Sequence, residues 1–271
     1  MQKKQIVLIA QTVVALALVE GLAIVSSLVS RGGYAPALLP AINARQFLLT
    51  FLISTGLMLF LVRRLRQRIF FEIIFSLSIF SGVWFLAALF VPSYAFFLAA
   101  ALLAIRYFFP YVLFQNILMI LGIAGVASAI GASTPWQTMA IVIAVLAVYD
   151  VIAVYGTKHM VTMFKGMLAQ GVVFALVIPE HPRMLLRRMK DVGPGEGFSF
   201  LGSGDLALPS LFVASAAHES LGLGLGAAVG SIVGLLATDF IFQRGGKRPM
   251  PALPPIAIGT LAGFFAARFF V

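Results

Sequence analysis

No cysteine occurs in the 271 residues, so disulfides and thiol chemistry are excluded. Charge is scarce too: charged residues make up 10% of the chain, against roughly a quarter in a soluble domain. Only nine residues are acidic, and the three histidines have no ligand-like neighbours, so neither a metal site nor a cofactor is expected. What fills the chain instead is apolar, with 61% hydrophobic residues and a mean hydropathy of +1.06. Such a chain cannot cover a water-facing surface, and it is a membrane protein.

A helix needs about 20 mostly apolar residues to cross a bilayer. Nine segments satisfy this, at about 5–29, 46–62, 69–90, 92–109, 111–131, 135–156, 202–219, 222–242 and 251–270. The expected fold class is therefore an all-α membrane protein, with residues 1–271 forming one polytopic domain. At about 25 residues, the first segment is longer than the core of a signal peptide and reads as a retained span.

The cations orient this map. With a cytoplasmic N-terminus, the inner side receives Lys3, Lys4, Arg63, Arg64, Arg66, Arg68, Arg106, Lys158, Lys165, Arg183, Arg187, Arg188, Lys190, Arg244, Lys247 and Arg248. The outer side receives only Arg31, Arg45 and Arg268. Sixteen against three is a strong positive-inside bias, which places the N-terminus inside and the C-terminus outside. The net charge of +10 thus orients the protein in a lipid membrane, and no nucleic-acid partner is called for.

One long connection, 157–201, falls inside. Its start, "MVTMFKGMLAQ", suits a surface helix; "VVFALVIP", 172–179, is β-branched, too short to span, and suits a strand. "RRMKDVGPGEGFSF", 187–200, is basic, rich in Gly and Pro, and reads as a flexible linker.

With so few acids, each can be placed. Glu180, Asp191 and Glu196 belong to the inner loop, Glu219 ends span seven outside, and Glu72 sits at an interface near Arg68. Asp239, near the inner end of span eight, has head groups or Arg244 within reach. At membrane depth remain Glu20, read as a polar contact between helices, Asp150 in span six and Asp205 at the start of span seven. An intramembrane carboxylate is costly and usually has a partner and a function. Spans six and seven run antiparallel, so Asp150 and Asp205 fall at similar depth in the inner half of the bilayer. Glu219 lies about 20 Å along the helix from Asp205, too far to be its partner.

Two carboxylates facing each other in a low-dielectric site cannot both ionise cheaply, so one keeps a proton and the pair titrates as a unit. That state suits aspartic protease chemistry. The charged member takes a proton from water while the protonated one polarises the scissile carbonyl.

Two neighbouring stretches suit a site. In "GSGD", Gly202 and Gly204 flank Ser203 and permit unusual backbone and close approach beside Asp205, although the same residues also suit an ordinary helix start. In "KRPMPALPPIAIG", Pro249, Pro251, Pro254 and Pro255 favour an extended segment at the inner end of span nine. A substrate helix must be unwound before its amides are open to attack, and strand-like pairing with an extended segment achieves this. The stretch 172–179 is a candidate second strand.

"YD" (Tyr149, Asp150), "GxGD" (Gly202, Gly204, Asp205) and "PAL" (Pro251, Ala252, Leu253), in that order and on those spans, resemble the presenilin and signal peptide peptidase family of intramembrane aspartyl proteases. The nine-span layout resembles it too, and "VYGTKHM" after Asp150 looks like the archaeal members, implying the cell membrane of an archaeon. The resemblance implies catalytic Asp150 and Asp205, with Tyr149, Gly202, Ser203 and Gly204 shaping the site. It implies a substrate-contacting segment at Pro251, Ala252, Leu253 and Pro254. Presenilins carry the catalytic loop in the cytoplasm and signal peptide peptidases the reverse, so the charge bias looks presenilin-like. Single-span substrates with an outer N-terminus are then expected. The loop of about 45 residues is much shorter than in animal presenilins, which puts its self-cleavage in doubt. No obligatory partner subunit is expected, and a homo-oligomer stays open.

Gly222, Gly226, Gly230 and Gly234 recur every fourth residue on span eight and suit close helix packing inside the bundle, with a dimer face as the other reading. The alternative function is a proton-coupled transporter or channel, since paired acids and broken helices also mark ion paths. Against it, the two acids lie near one face of the membrane and no internal repeat occurs. A silent chaperone that binds helices through the same groove is a third reading.

Overall fold

Long apolar runs become helices in lipid because the backbone finds no other hydrogen-bond partner there. The computed structural model describes residues 2–31, 43–64, 68–156, 173–193, 197–244 and 250–270. Among them are nine α-helices: α1 (Gln2–Val29), α2 (Ala44–Arg64), α3 (Arg68–Phe90), α4 (Ala95–Phe108), α5 (Val112–Ser133), α6 (Trp136–Val151), α7 (Ser203–Glu219), α8 (Leu221–Arg244) and α9 (Leu253–Arg268). They stand at the nine places expected. Five (α1, α3, α5, α8, and α6 with the π-helical turn Ile152–Gly156) are long and apolar enough to cross a bilayer, while the apolar stretches of α2, α4 and α9 are shorter. Leu49, Ile53, Leu57 and Phe60 of α2 are all exposed, as side chains facing lipid would be.

α7 is the central helix. Phe212, Val213, Ala214, Ala216 and Ala217 are fully buried, and α1, α5, α6, α8 and α9 all pack against it. A helix apolar on every side belongs in such an interior position. Small residues set the remaining crossings. A Cβ added at Gly131 of α5 would lie 2.6 Å from the Leu211 carbonyl oxygen of α7, and one at Gly234 of α8 would lie 2.5 Å from that of Pro255 on α9. Gly226 and Gly230 meet Gly263 and Gly259 of α9 in the same way. The glycine stripe of span eight therefore packs within the bundle.

The all-α expectation lacks one element, a two-stranded antiparallel sheet of β1 (Ala175–Pro179) and β2 (Phe198–Gly202). β1 falls within the stretch expected as a strand, and its partner is β2. The "flexible linker" is also ordered over its described residues. Arg187 accepts a hydrogen bond from Val112 N–H at 3.0 Å, and Met189 N–H donates to the Pro110 carbonyl at 2.8 Å. Backbone groups of this stretch thus dock on the α4–α5 turn instead of staying solvated. Gly197, at φ +81°, turns the chain into β2 through a conformation that favours glycine. The expected surface helix over 160–170 lies outside the described residues.

Candidate active site

Asp150 occupies the last turn of α6, just before the π-helical turn, and is 6% exposed. Its Oδ2 accepts a hydrogen bond from Leu253 N–H at 3.2 Å. Leu253 opens α9, so its N–H is one of the helix-start donors that have no partner within the helix. The aspartate caps a different helix from its own, and thereby joins the "YD" and "PAL" stretches, 103 residues apart in sequence. On the other side of this segment, Thr238 Oγ1 shares its proton between the Gly234 carbonyl at 2.9 Å and that of Ala252 at 3.3 Å.

Asp205 sits in the first turn of α7, where a helix N-terminus favours negative charge. Its carboxylate folds back over the strand end: a Cβ on Gly202 would lie 3.0 Å from Asp205 Oδ2. Gly202 leaves the room this rotamer uses. Gly204, by contrast, has nothing within 4 Å of an added Cβ. Pro209 lies inside α7 and lacks the N–H that would meet the Asp205 carbonyl one turn back. α6 packs directly on α7, and the Asp150 and Asp205 carboxylates lie within electrostatic reach of each other.

Two expectations are corrected here. The backbone at Ser203 and Gly204 is helical, so "GSGD" is a strand-to-helix junction with Gly202 as the residue before the helix. Pro254 and Pro255 fall in the first turn of α9 and not in an extended loop. Proline fits there because the N–H it lacks would have no helical partner anyway. Only Met250, Pro251 and Ala252 remain outside the helix among the described residues of this segment. Tyr149 stands beside Asp150 with its ring edge-on to Phe51 of α2, centroids 5.6 Å apart, so it braces α6 from the α2 side.

A cavity of about 610 Å³ opens next to Asp205, bounded by the start of α1, by Ile178, Glu180 and β2, by the C-terminal end of α8 and by Met250 and Ala252. Asp239 and Thr238 line it with Asp205. Sequence reasoning placed Asp239 near head groups or Arg244. In the structure Gln243 donates to Asp239, while the Arg244 guanidinium lies 4.2 Å from the Phe240 ring centre. Glu72, expected at an interface, pairs with Arg106 of α4 at 2.6 Å. Glu20 meets expectation as an interhelical contact, with both carboxyl oxygens at 2.6 and 2.8 Å from Ser231 Oγ of α8. Among the described residues no group of three His, Cys, Asp or Glu side chains is placed to hold a metal.

Two carboxylates on adjacent buried helices, one of them open to a cavity, equip a membrane protein for acid–base hydrolysis within the bilayer. The family described as signal-peptide peptidase, presenilin aspartyl protease matches residues 5–271. A solved structure of a presenilin family intramembrane aspartate protease in space group C222 shares 26% identity at a TM-score of 0.68, covering 97% of this chain and 99% of that one. Another, in space group P2, shares 28% identity at a TM-score of 0.66, covering 96% of each chain. No curated protein sequence matches. The chain belongs to the signal-peptide peptidase and presenilin aspartyl protease family. It is a multi-pass integral membrane protein and an aspartic endopeptidase acting within the membrane, and these comparisons do not support the transporter alternative.

Proposed function

We propose that Asp150 and Asp205 are the catalytic pair and that the protein cleaves single-span membrane proteins as extended peptides laid along β2. The observation that carries this is the convergence at Asp150: the carboxylate lies within electrostatic reach of Asp205 and accepts the Leu253 N–H, so one point ties all three motif stretches together. In the reaction, one carboxylate removes a proton from water as its oxygen bonds to the scissile carbonyl carbon. The other, protonated, gives its proton to the carbonyl oxygen. Collapse of the resulting diol breaks the C–N bond, and the departing amine takes up a proton from the pair.

β2 turns the N–H and C=O groups of alternate residues away from β1, and residues 198–201 line the cavity beside Asp205 together with Ile178 and Glu180. A peptide pairing there gives up its helical hydrogen bonds for ladder bonds, which exposes the amide to attack. Met250 and Ala252 line the cavity, and with Pro251 between them this segment contacts the substrate. The cationic bias supports a cytoplasmic 157–201 connection with substrates entering N-terminus outside, and the likeness of "VYGTKHM" to archaeal members supports an archaeal cell membrane. The protein works without an obligatory partner subunit.

A fluorogenic single-span reporter, incubated with purified protein in detergent, tests the assignment. Cleavage by the native protein and its loss in both Asp150→Asn and Asp205→Asn is the expected result. Cleavage that survives either substitution overturns it.

A further inference from the structure

We infer that Asn116, assisted by Gln11 and Gln115, is a positioning residue that seals the outer edge of β1 and fixes which substrate bond meets the aspartates; this rests on the reading that substrate pairs with β2. The register shows which strand groups are involved. Ser203 N–H bonds the Phe174 carbonyl at 3.3 Å, and Glu180 N–H bonds that of Gly197 at 2.8 Å. In an antiparallel ladder the bonded pairs alternate, so residues 174, 176, 178 and 180 face β2. Residues 173, 175, 177 and 179 then point their backbone groups the other way, at α1 and α5.

Side-chain amides meet that outer edge. Asn116 of α5 makes a two-point contact with Val177, accepting its N–H at Oδ1 (3.0 Å) and donating from Nδ2 to its carbonyl (2.6 Å). This is the pattern a neighbouring strand would offer. Gln11 of α1 donates to the Pro179 carbonyl at 2.9 Å, and fully buried Gln115 donates to the Val173 carbonyl at 3.2 Å. Gln115 also accepts from Arg106 Nε at 2.7 Å, and Arg106 pairs with Glu72, so the clamp is anchored to α3 and α4.

Two consequences follow from an edge occupied by amides. An extended peptide cannot add to β1, which leaves β2, whose residues 198–201 line the cavity with Asp205. The two-point contact at Val177 also pins the ribbon lengthwise, and β2 runs directly into Gly202 and the first turn of α7. Asn116 therefore holds the β1–β2 ribbon, and the start of α7 that continues it, in place against α5. A slip of the ribbon by two residues keeps every side chain on its own face, and it is the slip such a clamp resists.

The test compares native protein, Asn116→Leu, Asn116→Asp and Gln11→Ala on the same single-span reporter, with products identified by mass spectrometry and kcat and KM measured separately. Asn116→Asp keeps the acceptor for Val177 N–H and loses the amide donor. The expected result for Asn116→Leu is about a tenfold loss in kcat and cleavage spread to bonds two residues from the native one. Asn116→Asp and Gln11→Ala give the same spread in weaker form. If Asn116→Leu does not fold, Asn116→Asp and Gln11→Ala decide. Cleavage of a single native bond at native kcat by every folded variant overturns the inference. Failure of the native protein to cleave, or cleavage by Asp150→Asn, overturns instead the catalytic reading beneath it.

Discussion

The Leu253 N–H donates to Asp150 Oδ2 at 3.2 Å, so the aspartate on α6 caps α9 across the site. A hydrogen bond to a charged group contributes about 1.5–3 kcal/mol. Removing the acceptor in Asp150→Ala is expected to speed amide exchange in a peptide covering residues 250–256 by roughly ten- to a hundredfold, while Asp150→Asn, which retains an oxygen, gives a smaller effect. Hydrogen exchange read by mass spectrometry checks this, and equal exchange in all three proteins counts against the contact.

The two glycines of "GSGD" are expected to behave differently. A methyl at Gly202 would press on Asp205 Oδ2 from 3.0 Å, whereas one at Gly204 meets nothing within 4 Å. Gly202→Ala should lower kcat at least tenfold with little change in KM. Gly204→Ala should stay within about threefold of native activity and stabilise the first turn of α7 by up to about 1 kcal/mol. Kinetics of the two variants side by side decide, and equal losses would show that space beside Asp205 is not what position 202 supplies.

Close packing of α8 on α9 leaves no room for a side chain at Gly234, where a Cβ would sit 2.5 Å from the Pro255 carbonyl oxygen. Overpacking of this kind costs about 1–3 kcal/mol. Gly234→Ala should lower Tm in detergent, while Gly21→Ala, with open space around it, should not. A loss of oligomer without a change in Tm would instead assign the stripe to an interface between copies.

Glu20 and Ser231 form a buried pair between α1 and α8. Ser231→Ala leaves a buried carboxyl group without its partner, at a cost of about 1–3 kcal/mol. The double substitution Glu20→Gln with Ser231→Ala should cost less than the sum of the singles. A thermodynamic cycle on unfolding measures this, and additive effects would mean the two groups do not interact.

Absence of cysteine makes membrane sidedness straightforward to test. Leu186 is exposed on the 157–201 connection, and on the proposed topology a single Leu186→Cys variant in oriented vesicles should react with an impermeant maleimide only from the cytoplasmic side. Labelling from outside reverses the topology and with it the substrate direction.

Much of the protein is legible in its sequence because lipid restricts the choices. Apolar runs of sufficient length have to be helices, and carboxylates at membrane depth are rare enough that Asp150 and Asp205 stand out. The spacing of Gly226, Gly230 and Gly234 likewise states a helix face by itself. The tertiary structure decided what depends on contacts distant in sequence. β2 is hidden in a Gly- and Pro-rich stretch, since a strand of five residues gains its stability from pairing with β1 and not from its own composition. Asp239 came to the cavity because the C-terminal end of α8 lines it together with β2 and the start of α1. The adjacent Gln115 and Asn116 in "YVLFQNILMI" are a sequence signal, two amides inside an apolar span, but their role required knowing which strand edge they face. Helices and charges are dictated locally by the solvent. Pairing, capping and register are settled only when backbone groups far apart in the chain must satisfy one another.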